Sequence, residues 1–152
     1  MKISAKSRYA LHLMLELAMQ DEGVNLSVKS VAESRGISEK YLEQIIPVLV
    51  RSGLVRSVRG AKGGYRLVKS PEDYTVGLIL RTVEGSLAPV SCMDDEINQC
   101  ARCKACVTLD LWEQVDQAIS NVVDQVTLAD LVDKQRRMDA RCAASAALRG
   151  NC

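Results

Sequence analysis

The segment from Ser27 to Val68 limits the possible folds of this chain more than any other part of it. Its first half contains two amphipathic stretches that are separated only by the short break RGIS. Ser27 and Ser38 are favourable residues for starting a helix, and Gly36 is favourable for ending one. The pattern therefore predicts one helix after Ser27 and a second over about 39–52, joined by the tight turn of a helix–turn–helix motif.

The second half of this segment is the basic, glycine-rich string SGLVRSVRGAKGGYRL, residues 52–67. Residues 54–58 and 65–68 read as two short strands, and the glycines of residues 59–64 favour a hairpin loop between them. A helix–turn–helix that is followed by a basic hairpin indicates a winged helix, a fold that binds DNA.

The rest of the chain favours further helices. Aromatic residues are only 3% of the sequence and Phe is absent, so the core must be aliphatic, which is typical of packed helices. Apolar residues recur at helical spacing in four more segments, at about 6–20, 75–83 and 107–126 and after Thr127. We expect a mainly α fold with a small β-hairpin, a winged helix-turn-helix with a long C-terminal helix.

We divide the chain into three parts. The division is a winged-helix DNA-binding domain at 1–70, helices at 71–140 that include a cysteine-rich sensor loop at 86–106, and a flexible, alanine-rich tail at 141–152.

Charge is distributed unevenly between the two halves of the chain. Residues 1–70 contain twelve Lys or Arg and six Asp or Glu, a net charge of +6, whereas residues 71–152 contain eight and thirteen, a net charge of −5. A basic half favours phosphate as a partner, and an acidic half favours protein. We therefore expect double-stranded DNA to bind the first half.

Several classes of protein are not expected from this sequence. The apolar N-terminal stretch is interrupted by His12 and Glu16, so we expect neither a signal peptide nor a membrane span, and the cytoplasm is the expected location. Ser, His and Asp are not grouped as a catalytic site requires, and the chain has one histidine in all. We therefore do not expect an enzyme.

The second helix of the motif should enter the major groove of DNA. Gln44 can pair with an adenine edge and Glu43 can accept from cytosine, whereas Lys40 and Tyr41 suit phosphates. In the hairpin, Arg59 suits a narrow minor groove and Lys62 a phosphate. The predicted DNA-binding residues are Ser38, Lys40, Tyr41, Glu43, Gln44, Arg59 and Lys62.

The loop holds four of the six cysteines, Cys92, Cys100, Cys103 and Cys106. Thiolates are ligands for iron–sulphur clusters and for zinc. The last three have a ferredoxin-like spacing without the fourth Cys-Pro, so a small electron carrier is one alternative, although a carrier has no use for a basic hairpin. A loop-stabilising zinc and metal-free thiol sensing are the others. In the tail we expect inert, exposed thiols at Cys142 and Cys152.

Four strings in the chain resemble a known family. They are SRYALHLMLELA, GISEKYLEQI, GLVRSVRGAKGGYRL and TVGLILRTVEGSLAPVSC. Together they resemble the IscR-type (IscR/NsrR/CymR) family of bacterial winged-helix transcription regulators over roughly residues 1–131. The resemblance implies a homodimer held by the long C-terminal helix, a pseudo-palindromic operator, and a role for Glu43 in choosing between operator classes.

The resemblance also implies a use for the cysteines. Cys92, Cys100 and Cys106 align with the three positions that hold an iron–sulphur cluster in the cluster-binding members. The histidine ligand of one member falls here at Leu109, which cannot bind metal, so the fourth ligand is open between Cys103 and His12. We expect a repressor that senses cluster status, with 2Fe–2S favoured over 4Fe–4S. The alternatives are a regulator of thiol or cysteine metabolism without a cluster and a zinc-stabilised regulator.

Overall fold

The computed structural model describes residues 3–95, 97–98 and 100–149, with side chains through residue 145. The helices and strands of this part are α1 (Ala5–Ala18), α2 (Val28–Arg35), α3 (Glu39–Arg51), β1 (Val55–Val58), β2 (Gly64–Leu67), α4 (Val76–Glu84), α5 (Leu109–Val123) and α6 (Leu128–Arg149). Short 3₁₀ turns occur at Pro71–Asp73, Ser91–Met93 and Cys103–Ala105. The expected fold class, mainly helical with one antiparallel hairpin, is confirmed.

The helix–turn–helix forms where the caps predict it. The Ser27 hydroxyl accepts from the N–H of Ser30 at 3.0 Å, and the Ser38 hydroxyl accepts from the N–H of Tyr41 at 3.2 Å, so each serine satisfies a free amide at a helix start. Gly36 ends α2 in the left-handed conformation, with φ of 63°. These local interactions set the turn between α2 and α3.

The hairpin pairs β1 with β2 in the register Val55↔Leu67 to Val58↔Gly64. A third segment extends this small sheet, because Leu26 and Tyr65 exchange backbone hydrogen bonds of 2.9 and 2.8 Å. Gly64 allows this pairing: its φ is 144°, and a Cβ there would lie 2.5 Å from the carbonyl oxygen of Leu26. The glycine therefore lets the hairpin approach the start of the helix–turn–helix.

One aliphatic core joins the first and second halves of the chain. Leu13, Leu42 and Ile45, from α1 and α3, pack in the same cluster as Ile79 of α4 and Leu128 of α6. The predicted boundary at residue 70 thus does not separate two cores, and the division of the chain by function stays a prediction.

The exception to this aliphatic core is Tyr74, which is 1% exposed. Its hydroxyl accepts from the backbone N–H groups of Val68 and Lys69 at 3.1 and 2.8 Å, and donates to the carbonyl of Leu54 at 3.0 Å. Its own carbonyl accepts from the N–H of Leu128 at 2.8 Å. Tyr74 therefore joins both ends of the hairpin to the start of α6.

Helix α5 is attached to α4 by an ion pair. Arg81 donates two hydrogen bonds to the carboxylate of Asp124, at 2.6 and 3.0 Å, and a third to the hydroxyl of Ser120 at 2.9 Å. Gly77 makes room for this carboxylate, since a Cβ there would lie 1.9 Å from Asp124 Oδ1. Because Arg81 binds both oxygens of the Asp124 carboxylate, the ion pair fixes the orientation of α5 relative to α4.

The structure corrects the predicted helix ends. Helix α5 begins at Leu109 and ends at Val123, so it is shorter than the predicted 107–126. Helix α6 continues to Arg149, although we expected the chain to lose regular structure from Arg141. Alanine has the highest helix propensity, which explains why this alanine-rich stretch is helical. Residues 150–152, including Cys152, lie outside the described residues. Among the residues that the structure describes, no helix is long and apolar enough to cross a membrane.

Tyr74→Phe should lower the free energy of unfolding by about 1–3 kcal/mol, because two backbone amides and one carbonyl lose a buried partner. Urea denaturation followed by circular dichroism would measure this as a lower midpoint with an unchanged slope. Tyr65→Phe is the matched control, since the Tyr65 hydroxyl makes no hydrogen bond to any described residue. Equal losses in both variants would contradict the role of the Tyr74 hydroxyl.

Candidate functional site

The N-terminal half of α3 presents a polar face to solvent. Lys40, Glu43 and Gln44 are all exposed there, and spacings of three and four residues place them on the same side of the helix. None of them makes an ion pair with another described residue. Their ammonium, carboxylate and amide groups are therefore available to a partner, as the predicted contact with base edges and phosphates requires.

Two other predicted DNA-binding residues on α3 also have structural roles. Ser38 is the helix cap, so its hydroxyl oxygen is already an acceptor within the fold. Tyr41 is half-buried rather than exposed, and its ring packs edge-on against Tyr9 of α1, with centroids 5.2 Å apart. The guanidinium of Arg8 lies 5.8 Å from the centre of the Tyr9 ring. This contact brings a further positive charge from α1 toward the start of α3.

An ion pair fixes α2 against α1. Arg35, at the end of α2, donates from Nε to the carboxylate of Glu16, and both side chains are largely buried, at 16% and 15% exposure. The guanidinium also lies 3.4 Å from the sulphur of Met19. Because little water screens this pair, it is stronger than a surface ion pair and orients the helix–turn–helix relative to α1.

His12, the second candidate for a fourth metal ligand, lies on α1 beside this ion pair. Its side chain is exposed, but partial desolvation and the positive charges of Arg35 and Arg8 lower the pKa of the imidazole from its usual value. The neutral imidazole is the form that can bind metal. Its use as a ligand stays a prediction.

The hairpin tip extends two basic side chains into solvent. Arg59 and Lys62 are both exposed. The turn between them is closed by a hydrogen bond from the N–H of Gly63 to the carbonyl of Gly60, at 2.9 Å. A Cβ at Gly63 would lie 2.4 Å from the carbonyl oxygen of Val58, so this loop can form only with glycine there. The compact tip suits insertion into a groove of DNA.

The side chain of Asn25 connects the hairpin tip to the segment that precedes α2. Its side-chain amide donates to the carbonyl of Lys62 at 2.9 Å. Together with the Leu26–Tyr65 pairing, this hydrogen bond fixes the distance between the tip and the start of α2. The basic hairpin tip and the exposed face of α3 are therefore held in a fixed position relative to each other.

Successive backbone turns connect three cysteines of the sensor loop. The N–H of Cys103 donates to the carbonyl of Cys100 at 3.0 Å, the N–H of Cys106 to Cys103 at 3.4 Å, and the N–H of Leu109 to Cys106 at 3.1 Å. Turns of this kind place residues three apart on the same side of the chain. The loop thus leads directly into the first turn of α5.

The loop thiols are accessible and free. Cys100 and Cys106 are exposed, Cys92 and Cys103 are half-buried, and none of these four is in a disulfide. The sulphur of Cys106 lies 3.3 Å from the hydroxyl of Thr108, and hydrogen bonding to Thr108 lowers the pKa of this thiol. Such thiols can ligate metal or react with oxidants.

Cys92, Cys100 and Cys106 do not form a closed ligand set in the single chain. Among residues 3–95, 97–98 and 100–149, no three His, Cys, Asp or Glu side chains come together closely enough to hold a metal ion. The chemistry of the donors suits an iron–sulphur cluster, whereas their positions in one chain do not yet enclose one. Cys142, which lies on α6, is a free thiol and is exposed as expected, whereas its inertness stays a prediction.

Sequence reasoning missed several residues that build this surface. Tyr74, Asn25 and the Glu16–Arg35 pair act through partners that are 5 to 37 residues away along the chain. Periodicity and capping patterns carry no information on such contacts. The one available signal was Tyr74 itself, because a lone aromatic residue between a Ser-Pro break and an aliphatic helix is unusual in a chain with so few aromatics.

Comparison with known proteins identifies this architecture. The family model Rrf2, described as an iron-dependent transcriptional regulator, matches residues 3–134. The transcriptional regulator CymR of Bacillus subtilis (strain 168) is 41% identical over 131 residues, which are 86% of this chain and 89% of CymR.

Two solved structures have the same fold. The structure of B. subtilis CymR, described as the global cysteine regulator, matches with a TM-score of 0.72 and 39% identity over 88% of this chain and 98% of CymR. The structure of T. potens IscR matches with a TM-score of 0.72 and 41% identity over 89% of this chain and 88% of IscR. These relatives are transcription regulators and not enzymes. The chain belongs to the Rrf2 family of DNA-binding transcription regulators, as its resemblance to the IscR-type proteins predicted.

Proposed function

We propose that this regulator binds a pseudo-palindromic operator as a homodimer, as a repressor whose affinity depends on the state of the loop cysteines. The observation that carries the proposal is the combination of one rigid basic surface with a free cysteine loop in the same small chain. At the basic surface, α3 enters the major groove of DNA, where Glu43 and Gln44 contact base edges. Arg59 and Lys62 of the hairpin tip contact the adjacent minor groove and phosphates.

An apolar face on α5 that its own chain does not fully bury supports the homodimer. None of the fifteen residues of α5 is buried in the single chain. Its apolar residues nevertheless recur at helical spacing, and they include Leu109, Trp112, Val115, Ile119 and Val122. An amphipathic helix whose apolar face is not buried by its own chain is stabilised when a second copy covers that face. A dimer formed in this way would place two copies of α3 on successive turns of DNA.

The proposed signal is the presence of an iron–sulphur cluster at Cys92, Cys100 and Cys106. Four reduced thiols on one accessible loop are a suitable soft donor set, and Cys103 or His12 could supply a fourth ligand. Because the single chain does not gather three of these groups, cluster binding must include a rearrangement of the loop, pairing with a second subunit, or both. A 2Fe–2S cluster, when bound, supplies a centre that is sensitive to iron supply and oxidants.

The chain itself can transmit the state of the loop to the DNA-binding surface. Residues 85–108 connect α4 to α5, and Asp124 at the far end of α5 pairs with Arg81 in the last turn of α4. A loop that draws Cys92 toward Cys106 would therefore pull on the start of α5 while its end remains attached to α4. This would change the angle between the two subunits and hence the separation of the two α3 helices.

Regulation by thiol chemistry without a cluster is the second candidate. Two observations favour it: the loop thiols are free and separate in the single chain, and the similar CymR of B. subtilis is a global cysteine regulator. In this case a peroxide would oxidise two loop thiols to a disulfide and be reduced itself, with release of water, and the disulfide would restrict the same loop that a cluster would restrict. A structural zinc on these thiols is the remaining alternative for the site.

Arg59→Ala should weaken binding to a duplex that the wild-type protein has selected from a randomised pool. We expect a loss of about tenfold in affinity and a decrease of about one in the slope of log K against log salt concentration, because one cationic contact disappears. Fluorescence anisotropy at several salt concentrations measures both quantities. The control is Arg51→Ala, an exposed arginine in the last turn of α3, which should change neither value. Equal affinity of Arg59→Ala and wild type at every salt concentration would refute the assignment of the hairpin tip.

Cys92→Ala should remove the visible absorption of protein that is purified without oxygen and reconstituted with iron and sulphide. We expect the wild type to contain stoichiometric iron and sulphide, since thiolates are the ligands of such clusters. Absorption spectra and analysis of iron, sulphide and zinc provide the measurement, and Cys142→Ala serves as the control that keeps the colour. A colourless wild-type protein with zinc or with no metal would reject the cluster in favour of the structural zinc or the thiol mechanism.

A further inference from the structure

A second candidate binding site lies at the base of the hairpin, away from the cysteine loop. A groove of about 750 Å³ separates the outer face of the hairpin from the turn after α1 and from the 3₁₀ turn at Pro71–Asp73. This volume is within the range of about 300–1,000 Å³ that is typical of small-molecule sites. The groove has no role in the proposed recognition of DNA or in the cysteine chemistry.

The charges within the groove are arranged in two groups. On the hairpin side, Arg56 and Arg66 stand directly opposite each other in the strand register. Like charges at opposed positions of two antiparallel strands destabilise the pair, because their Cβ atoms are only about 4.5–5.5 Å apart. Neither guanidinium forms an ion pair with any residue in the described part of the chain. The arginine pair thus lacks the anion that would offset its repulsion.

Four carboxylates lie on the other side of the same groove, at Asp21, Glu22, Glu72 and Asp73. None of them forms an ion pair with Arg56, Arg66 or the neighbouring Lys69 at 4 Å or less. The groove therefore holds positive and negative groups that do not pair with one another at 4 Å or less, so both kinds of charge are available to a ligand.

This arrangement favours a small ligand over a DNA phosphate backbone. Two opposed guanidinium groups can bind a single carboxylate through several charge-assisted hydrogen bonds. The facing carboxylates would repel a polyanion, but they would attract an ammonium group. We propose that this groove binds a small zwitterion, with the carboxylate of the ligand between Arg56 and Arg66 and its ammonium group toward the acidic wall. A free amino acid or a short peptide has this chemistry.

An occupant of this groove would act on the hairpin through a short path. Val68 and Lys69, which line the groove, are the two residues whose backbone amides bind the Tyr74 hydroxyl. The ligand would contact both the hairpin and the 3₁₀ turn that precedes Tyr74, and so would restrain the hairpin relative to α6. The groove therefore gives the regulator a metabolite input that is independent of its cysteines.

The test is a titration of the full-length, ¹⁵N-labelled protein with each of the standard L-amino acids and with triglycine, followed by amide chemical shifts. We expect saturable shifts at Val24, Arg56, Arg66 and Glu72 for at least one of these probes. The analogue of that probe without its amino group and the analogue without its carboxyl group should bind at least about tenfold more weakly, because each lacks one charged contact.

The variant that removes the site is Arg56→Gln combined with Arg66→Gln, with Arg51→Gln as the matched control outside the groove. The double variant should lose the shifts and the control should keep them, and the single variant Arg56→Gln replaces the double variant if the latter does not fold. The proposal is overturned if no zwitterion shifts these amides, or if a simple carboxylate binds as well as the zwitterion. It is also overturned if the double variant binds the probe unchanged, or if its only defect is weaker binding to duplex DNA.

Discussion

The hydroxyl of Tyr74 is the contact on which the position of the basic hairpin depends. A buried hydroxyl must find partners, and this one binds both ends of the hairpin, at Leu54 and at Val68 and Lys69. The backbone of the same residue pairs with Leu128 at the start of α6. One residue therefore joins the basic hairpin to the helices of the second half, in addition to the aliphatic core that both halves share.

A second set of contacts determines how the two halves of the chain meet. Arg81 and Asp124 fix α5 to α4, and they can do so because Gly77 leaves space for the carboxylate. In the first half, Glu16 and Arg35 hold α2 to α1 in the same way. Each pair sets the angle between two helices that share little buried surface, where apolar packing alone would leave the angle poorly defined. These ion pairs thus orient helices that hydrophobic burial has already brought together.

The sequence predicted the elements of this fold better than their connections. Ser27, Gly36 and Ser38 act locally, so the helix–turn–helix and the hairpin could be read from short patterns. The end of α6 could not be read from the sequence, because a flexible tail and an alanine-rich helix have similar compositions. The high helix propensity of alanine explains why this stretch is helical. At the candidate site, the exposure of Lys40, Glu43, Gln44, Arg59 and Lys62 followed from the pattern, whereas the half-burial of Tyr41 depends on Tyr9, thirty-two positions earlier in the chain.

The cysteine loop and helix α5 are each incomplete in the single chain, and they are adjacent in sequence. The loop has thiols that do not form a closed ligand set, and the helix has an apolar face that its own chain does not fully bury. The last turn of the loop, from Cys106 to Leu109, ends at the first residue of the helix. An event that orders the loop must therefore also order the start of the proposed dimer contact. In the proposed dimer, this direct junction would let chemistry at the cysteines change the geometry of the dimer without any long pathway through the core.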